Sequence, residues 1–172
     1  MSIFKTKEER GSLWKFGSVQ IGYAAAFGGL GFALRALGIG VPIAAGVLID
    51  PRDVVSIIGP GFAGPIGAII IGTLCALPSA VFCVQVYVPL SILWALIFHY
   101  FKHPWYYVPL VAGLLVVWNW YWAVWFQIWG FLPEFWTAFI VSMTGTLLYI
   151  PASIVLIEVL RRYSPTAKRM IG

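Results

Sequence analysis

The chain has 172 residues, of which 61% are hydrophobic, 17% aromatic and only 10% charged. A soluble domain of this size lacks the interior to hide so much apolar surface, so lipid is the expected solvent and no room remains for a soluble catalytic domain. The net charge of +5 flanks apolar segments rather than interleaving with stacking aromatics on one face, which argues against nucleic acid as a partner.

A membrane crossing needs roughly 20 apolar residues, so the expected fold is all-α, a single membrane domain of about six transmembrane helices in one compact bundle. Residues 1–15 and 161–172 form short basic tails. The basic N-terminus followed by apolar sequence raises the possibility of a cleaved signal. The apolar stretch from Phe16 to Val47 is too long for one, and no compact Ala-x-Ala site precedes a polar chain, so a retained first span is expected.

Span one is expected over Phe16 to Leu37, ended by Gly38-Ile39-Gly40-Val41-Pro42. A weaker apolar region covers Ile43 to Ile58 and is interrupted by Asp50-Pro51-Arg52-Asp53. Pro51 disfavours helix at Asp50, so helix should begin near Arg52 or Asp53. Gly59-Pro60-Gly61 is expected to break it again, making the stretch from Asp50 to Gly72 one hairpin. Span three is placed at Phe62 to Val81, span four at Val84 to Tyr100, span five from Trp105 to Trp125, and span six from Phe135 to Leu160 with Pro151 as a kink.

Threading six spans from a cytoplasmic N-terminus puts nine of the eleven basic residues on the cytoplasmic side: Lys5, Lys7, Arg10, Lys15, Lys102, Arg161, Arg162, Lys168 and Arg169. Only Arg35 and Arg52 fall outside. That asymmetry fits the positive-inside rule for a multi-pass protein of the cell membrane with both termini cytoplasmic. Asp50, Asp53 and Glu134 then share the external face with Arg35 and Arg52.

Small residues mark two spans. Gly64, Ala68, Gly72 and Ala76 recur every four residues, a spacing that lets helix backbones approach closely. Span one offers Ala25, Gly29 and Ala33 at the same interval, with Gly22/Ala26 and Ala24/Gly28 beside it. That is more small surface than one neighbour requires, so a partner subunit or a sliding contact is expected there.

The acidic segment Ile49-Asp50-Pro51-Arg52-Asp53-Val54-Val55-Ser56-Ile57-Ile58-Gly59, followed by Phe62-Ala63-Gly64-Pro65-Ile66-Gly67-Ala68-Ile69-Ile70-Ile71-Gly72, resembles the substrate-binding S component of energy-coupling factor vitamin transporters. The likeness lies in the acidic start of the second helix and the Gly-Pro-x-x-Gly entry into the third. Sequence likeness covers about residues 20–75, while size, span number and cytoplasmic ends agree along the whole chain. The resemblance implies a transmembrane coupling subunit and two cytoplasmic ATPase subunits as partners. It also implies docking of the coupling subunit through an Ala-x-x-x-Ala surface on the first helix. Here the nearest matches are Ala24-x-x-x-Gly28 and Ala25-x-x-x-Gly29-x-x-x-Ala33.

No GxxxxGK[ST] phosphate loop, HExxH, GxSxG or clustered Cys/His set occurs, so neither an enzyme nor a resident cofactor or metal is expected. Cys75 and Cys83, eight apart in apolar sequence, read as buried small hydrophobes. His99 and His103 could share a helical face and hold a metal; beside Lys102 and Pro104 they read first as interfacial anchors. The run Trp118-Asn119-Trp120-Tyr121-Trp122-Ala123-Val124-Trp125-Phe126-Gln127-Ile128-Trp129-Gly130 has two readings, an interfacial aromatic belt or a ligand wall. Aromatics on all faces, with the amides of Asn119 and Gln127 among them, favour a flat, weakly polar small molecule.

The expected substrate-binding residues are therefore Asp50, Asp53, Trp118, Asn119, Trp122, Gln127 and Glu134. A small nutrient would enter from outside between spans five and six, under the segment from Pro42 to Asp53. An alternative for the charged groups is mutual pairing, Arg52 with Asp50 or Asp53 and Arg35 nearby. Two other classes compete. An accessory subunit of a respiratory or oxidase complex would use its tryptophans for lipid or subunit contact and have no ligand pocket. A membrane enzyme acting on lipid would need an acid, base or metal set that the sequence lacks.

Overall fold

The computed structural model describes residues 3–10, 12–44, 47–79, 83–102, 108–130, 134–165 and 167–168; His103, Trp105 and Arg169 lie outside them. The architecture is helical apart from one small ribbon: α1 (Lys7–Arg10), α2 (Ser18–Ala36), β1 (Val41–Ala44), β2 (Val47–Ile49), α3 (Arg52–Ala76), α4 (Val84–Tyr100), α5 (Val108–Ile128) and α6 (Phe135–Tyr163).

The ends of α2 follow from its sequence. The Gln20 side chain accepts the Gly17 N–H at 3.1 Å, satisfying one of the donors a helix start leaves open. At the far end Gly38 adopts φ +67°, and the N–H groups of Gly38 and Ile39 donate back to the carbonyls of Arg35 and Leu34. This is the Schellman arrangement that glycine makes accessible. The chain then forms the antiparallel ribbon β1–β2, with Val41 opposite Ile49 and Pro42 opposite Leu48. The apolar region expected from Ile43 onward is thus not helical at its start. Its β-branched residues suit strands, and helix begins at Arg52, directly after Pro51.

α3 folds back on itself. Gly64 (φ 69°, ψ −179°) interrupts the helix, and the Arg52 guanidinium donates through Nη1 to the Cys75 carbonyl at 2.6 Å. In a straight helix those residues would be about 35 Å apart at 1.5 Å per residue. The reversal lies at Gly64-Pro65, not at Gly59-Pro60-Gly61 as expected. Proline disfavours α conformation in the residue before it, and glycine alone enters positive φ without strain. Each arm is about 18 Å long, against a hydrocarbon layer of about 30 Å. The expected second and third spans are therefore the two arms of one tight helical hairpin.

Pro60 and Pro89 sit within helices, where each leaves the carbonyl four residues earlier without its helical donor. Side-chain hydroxyls from neighbouring helices supply both. Ser91 Oγ donates to the Ser56 carbonyl at 3.3 Å, and Tyr121 Oη donates to the Gln85 carbonyl at 3.0 Å. The prolines thus become points of attachment between helices.

α2 and α4 pack on the hairpin. Ala24, Gly28 and Gly31 form the buried face of α2. On α3, Ala68 and Ala76 are fully buried, and a Cβ added to Gly72 would lie 2.8 Å from the Tyr87 carbonyl oxygen and from Val88 Cα. Ala25, Gly29 and Ala33 occupy the exposed face of α2. The main core joins Ile57, Ile58 and Phe62 of α3, Trp94, Ile97 and Phe98 of α4, and Ile150, Ile154 and Ile157 of α6. Cys75 and Cys83 are both buried.

The N-terminal segment closes one end of the bundle. Lys5 N–H donates to the Tyr100 carbonyl and Lys102 N–H to the Ile3 carbonyl. Lys5 Nζ donates to the Phe98 carbonyl at 2.9 Å, placing a cation at the negative end of α4. Lys102 pairs with Glu9 at 3.0 Å. Large apolar side chains cover the outer surface: Val19, Ile21, Leu30, Val116, Val117, Trp120, Trp136, Ile140, Leu147 and Val155 are each more than two-fifths exposed. Such a surface suits lipid or another protein rather than water. Among the described residues two helices, Arg52–Ala76 and Phe135–Tyr163, are long and apolar enough to cross a membrane by length and composition. The first is the folded hairpin, so its length is shared between two directions.

Two outcomes test these packing statements. Gly72→Leu should cost about 1–3 kcal/mol through overpacking against α4 backbone, whereas Gly29→Ala, with open space at its Cβ, should leave the thermal midpoint in detergent unchanged. Burial and the nearby charge of Arg161 push Lys5 from 10.5 down to about 8. The charged amine therefore opposes docking fully below pH 8, and the opposition fades as the pH rises toward 10.5. Hydrogen exchange at the Lys5 amide, corrected for intrinsic rate, should slow across that window in the wild type and not in Lys5→Met.

Candidate functional site

An ion cluster stands where the ribbon meets α3. Asp50 is 2% exposed, and its carboxylate faces Arg52 Nε at 2.9 Å and Arg35 Nη1 at 3.6 Å. It also accepts the Arg52 backbone N–H at 3.0 Å, as an acidic residue just before a helix does for the open donors of the first turn. Arg52 is held on all sides: by Asp50, by the Cys75 carbonyl at the end of the returning arm, and by the Tyr87 ring, 4.6 Å below its guanidinium carbon. Tyr87 Oη donates to Asp53 at 2.6 Å, and Tyr149 Oη accepts the Asp50 backbone N–H. Two guanidinium groups and two carboxylates balance, which is what a buried cluster requires.

Beneath this cluster lies a cavity of about 140 Å³. Arg35, Asp50, Asp53, Tyr87 and Tyr149 border it on the charged side; Trp94, Trp118, Trp122 and Phe126 supply aromatic wall; Ser142, Gly145 and Thr146 supply a strip of α6. The aromatic wall is ordered by ring contacts, with Trp122 edge-on to Tyr87 at 6.0 Å and 4.9 Å from Phe126. Edge-on and tilted pairs of this kind suit the ring quadrupole.

Asn119 stands behind the wall. It is fully buried; its Nδ2 donates to the Leu115 carbonyl at 2.7 Å, and its Oδ1 accepts from Ser142 and from Thr146, the latter at 3.0 Å. One amide therefore turns both hydroxyl protons away from the cavity and locks α5 to α6. Polar side chains joining apolar helices in this way fix their rotation.

Of the residues expected from sequence to bind substrate, Asp50, Asp53, Trp118 and Trp122 border the cavity. Asn119 supports it from behind. Gln127 and Glu134 are exposed and not among its lining, and Glu134 accepts from Thr137 at 3.3 Å. Arg35, Tyr87, Trp94, Ser142, Thr146 and Tyr149 were not expected there. Ser142, Thr146 and Tyr149 are spaced i, i+4, i+7, so a polar stripe on one face of an otherwise apolar helix was available as a signal. Tyr87 and Trp94 are likewise seven apart. His99 packs edge-on against Tyr100 at 5.0 Å, and no group of three or more His, Cys, Asp or Glu able to hold a metal occurs among the described residues.

Removing Arg52 should be severe, because Asp50 would remain buried with only the distant Arg35. Arg52→Gln is expected to cost about 3–5 kcal/mol, read as the denaturant midpoint in detergent micelles. Adding Asp50→Asn to that variant should recover part of the loss, and no recovery would show that Arg52 acts chiefly through the Cys75 carbonyl. Compared with known proteins, the chain matches no family model, no curated protein and no solved structure.

Proposed function

We propose that this chain is the substrate-binding membrane subunit of an importer of the energy-coupling factor type. It takes a small molecule from outside into the cavity between α4, α5 and α6 and passes it to a transmembrane coupling subunit driven by two cytoplasmic ATPase subunits. The observation that carries the reading is the cavity itself: aromatic walls, two hydroxyls held by Asn119, and a charge-balanced rim directly below the ribbon β1–β2. Concave, mostly apolar pockets with a few placed polar groups are where small ligands bind. The competing reading as an accessory subunit of a respiratory or oxidase complex anticipates no such pocket.

The distribution of charge supports a multi-pass topology with both termini cytoplasmic. The basic N-terminal segment, the end of α4 at Lys102 and the Arg161 end of α6 gather at one end of the bundle. Arg35 and Arg52 stand together in the ion cluster. The positive-inside rule makes the first end cytoplasmic and turns the cluster toward the outside. The small-residue face of α2, Ala25, Gly29 and Ala33, is left open for the coupling subunit.

Native mass spectrometry of the gently purified protein should reveal a small-molecule adduct. Trp118→Ala with Trp122→Ala should abolish it while thermal unfolding stays cooperative. Stable copurification with redox subunits, and no adduct, would sink the importer reading in favour of the accessory subunit.

A further inference from the structure

The polar groups of the cavity are not evenly satisfied, and their imbalance specifies a ligand. The carboxylates are engaged inside the cluster: Asp50 Oδ1 takes the Arg52 backbone N–H, Asp53 takes the Tyr87 hydroxyl, and Asp50 Oδ2, without a hydrogen bond of its own among the described residues, is ion-paired with Arg52 and Arg35. The donors are not used to the same extent. Arg35 borders the cavity with its side chain 24% exposed, and among the described residues that side chain makes one interaction, the 3.6 Å contact with Asp50. A guanidinium has five N–H donors. Trp94, a wall residue 3% exposed, has an indole Nε1–H that is buried without any hydrogen-bond partner. A buried donor left without a partner is costly, so an acceptor on a ligand is the natural complement.

We propose, building on the substrate-binding reading above, that the cavity takes a small aromatic acid: one flat ring carrying a single carboxylate and a second acceptor at its far end. The carboxylate meets Arg35 at the rim, where a planar guanidinium can engage it with two parallel hydrogen bonds. The ring lies against Trp118 and Trp122, and the far acceptor receives the Trp94 N–H. Trp94 lies seven residues beyond Tyr87 on α4, about 10 Å along the axis, which fits a molecule substituted at opposite ends. The volume sets the ring number, because an apolar cavity of about 150 Å³ admits benzene and this one is about 140 Å³. The charge is single, because a dianion would bring a second negative charge toward Asp50 and Asp53 when Arg35 offers the one underused guanidinium among the described lining residues.

The probes are 4-hydroxybenzoate and its neutral isostere 4-hydroxybenzamide, titrated into detergent-solubilised protein and followed by tryptophan fluorescence and thermal shift. The acid should bind at least about 10-fold more tightly than the amide, the scale expected when a site built for a charged group loses it. Arg35→Gln should erase that preference and Arg35→Lys should keep most of it, which separates the charge effect from any folding defect. Trp94→Phe should weaken both probes several-fold and leave their ratio unchanged. Equal binding of acid and amide, or a preference that survives Arg35→Gln, overturns the aromatic acid while the binding cavity stands. A neutral or cationic adduct retained from cells does the same. If neither probe binds and no adduct is retained, the substrate-binding reading falls together with it.

Discussion

The fold depends on Arg52. Its backbone opens the outgoing arm of the α3 hairpin, and its guanidinium closes on the Cys75 carbonyl at the end of the returning arm. Both ends of a reversed helix are thereby tied by one side chain. Burying that charge is costly unless it is paired and hydrogen-bonded; the Asp50 ion pair, the hydrogen bond to the Cys75 carbonyl and the Tyr87 ring offset that cost, although Nε has no hydrogen-bond partner among the described residues. Because Tyr87 also holds Asp53 and Tyr149 meets the Asp50 backbone, the same cation sets where α4 and α6 stand against the hairpin. The cavity rim is a by-product of closing the hairpin.

Apolar helices gain little from hydrophobic burial against one another in lipid, so polar contacts and close backbone approach decide their arrangement. Here the specifying contacts are few and can be named. Ser91 and Tyr121 satisfy the carbonyls that Pro60 and Pro89 leave open, Asn119 clasps Ser142 and Thr146, and Gly72 lets α4 lie directly on α3. Each joins two helices that are consecutive in the chain. The ion cluster aside, the rest of the interior is largely apolar filling around them.

The helical character, the end of α2 at Gly38 and the start of α3 at Arg52 were legible in the sequence, since each rests on local chemistry: apolar run, glycine cap, proline at the helix start. The hairpin turn was not. Gly59-Pro60-Gly61 and Gly64-Pro65 carry similar local signals, and the choice between them rests on Ser91, a hydroxyl 35 residues from Ser56 that makes Pro60 tolerable inside a helix. The candidate site divides in the same way. Trp118 and Trp122 stood out by density, but the rotation of α5 that turns them inward and Gln127 outward is set by Asn119 meeting α6. Arg35 was visible as a charge in an apolar span. Its place at the cavity depended on the hairpin returning beside it.

The bundle is built as two unequal parts. α2, the α3 hairpin and α4 interlock through small residues and shared carbonyls, whereas α5 and α6 pack chiefly on each other and meet the hairpin mainly through α6. The cavity draws its lining from both parts and so follows the seam between them. A molecule lodged there would touch both parts and act between them as mortar does. It would add contacts across a joint that the shared core of α3, α4 and α6 already holds. Occupancy of the seam would therefore tie α5, the helix that meets the hairpin least, more firmly to α4.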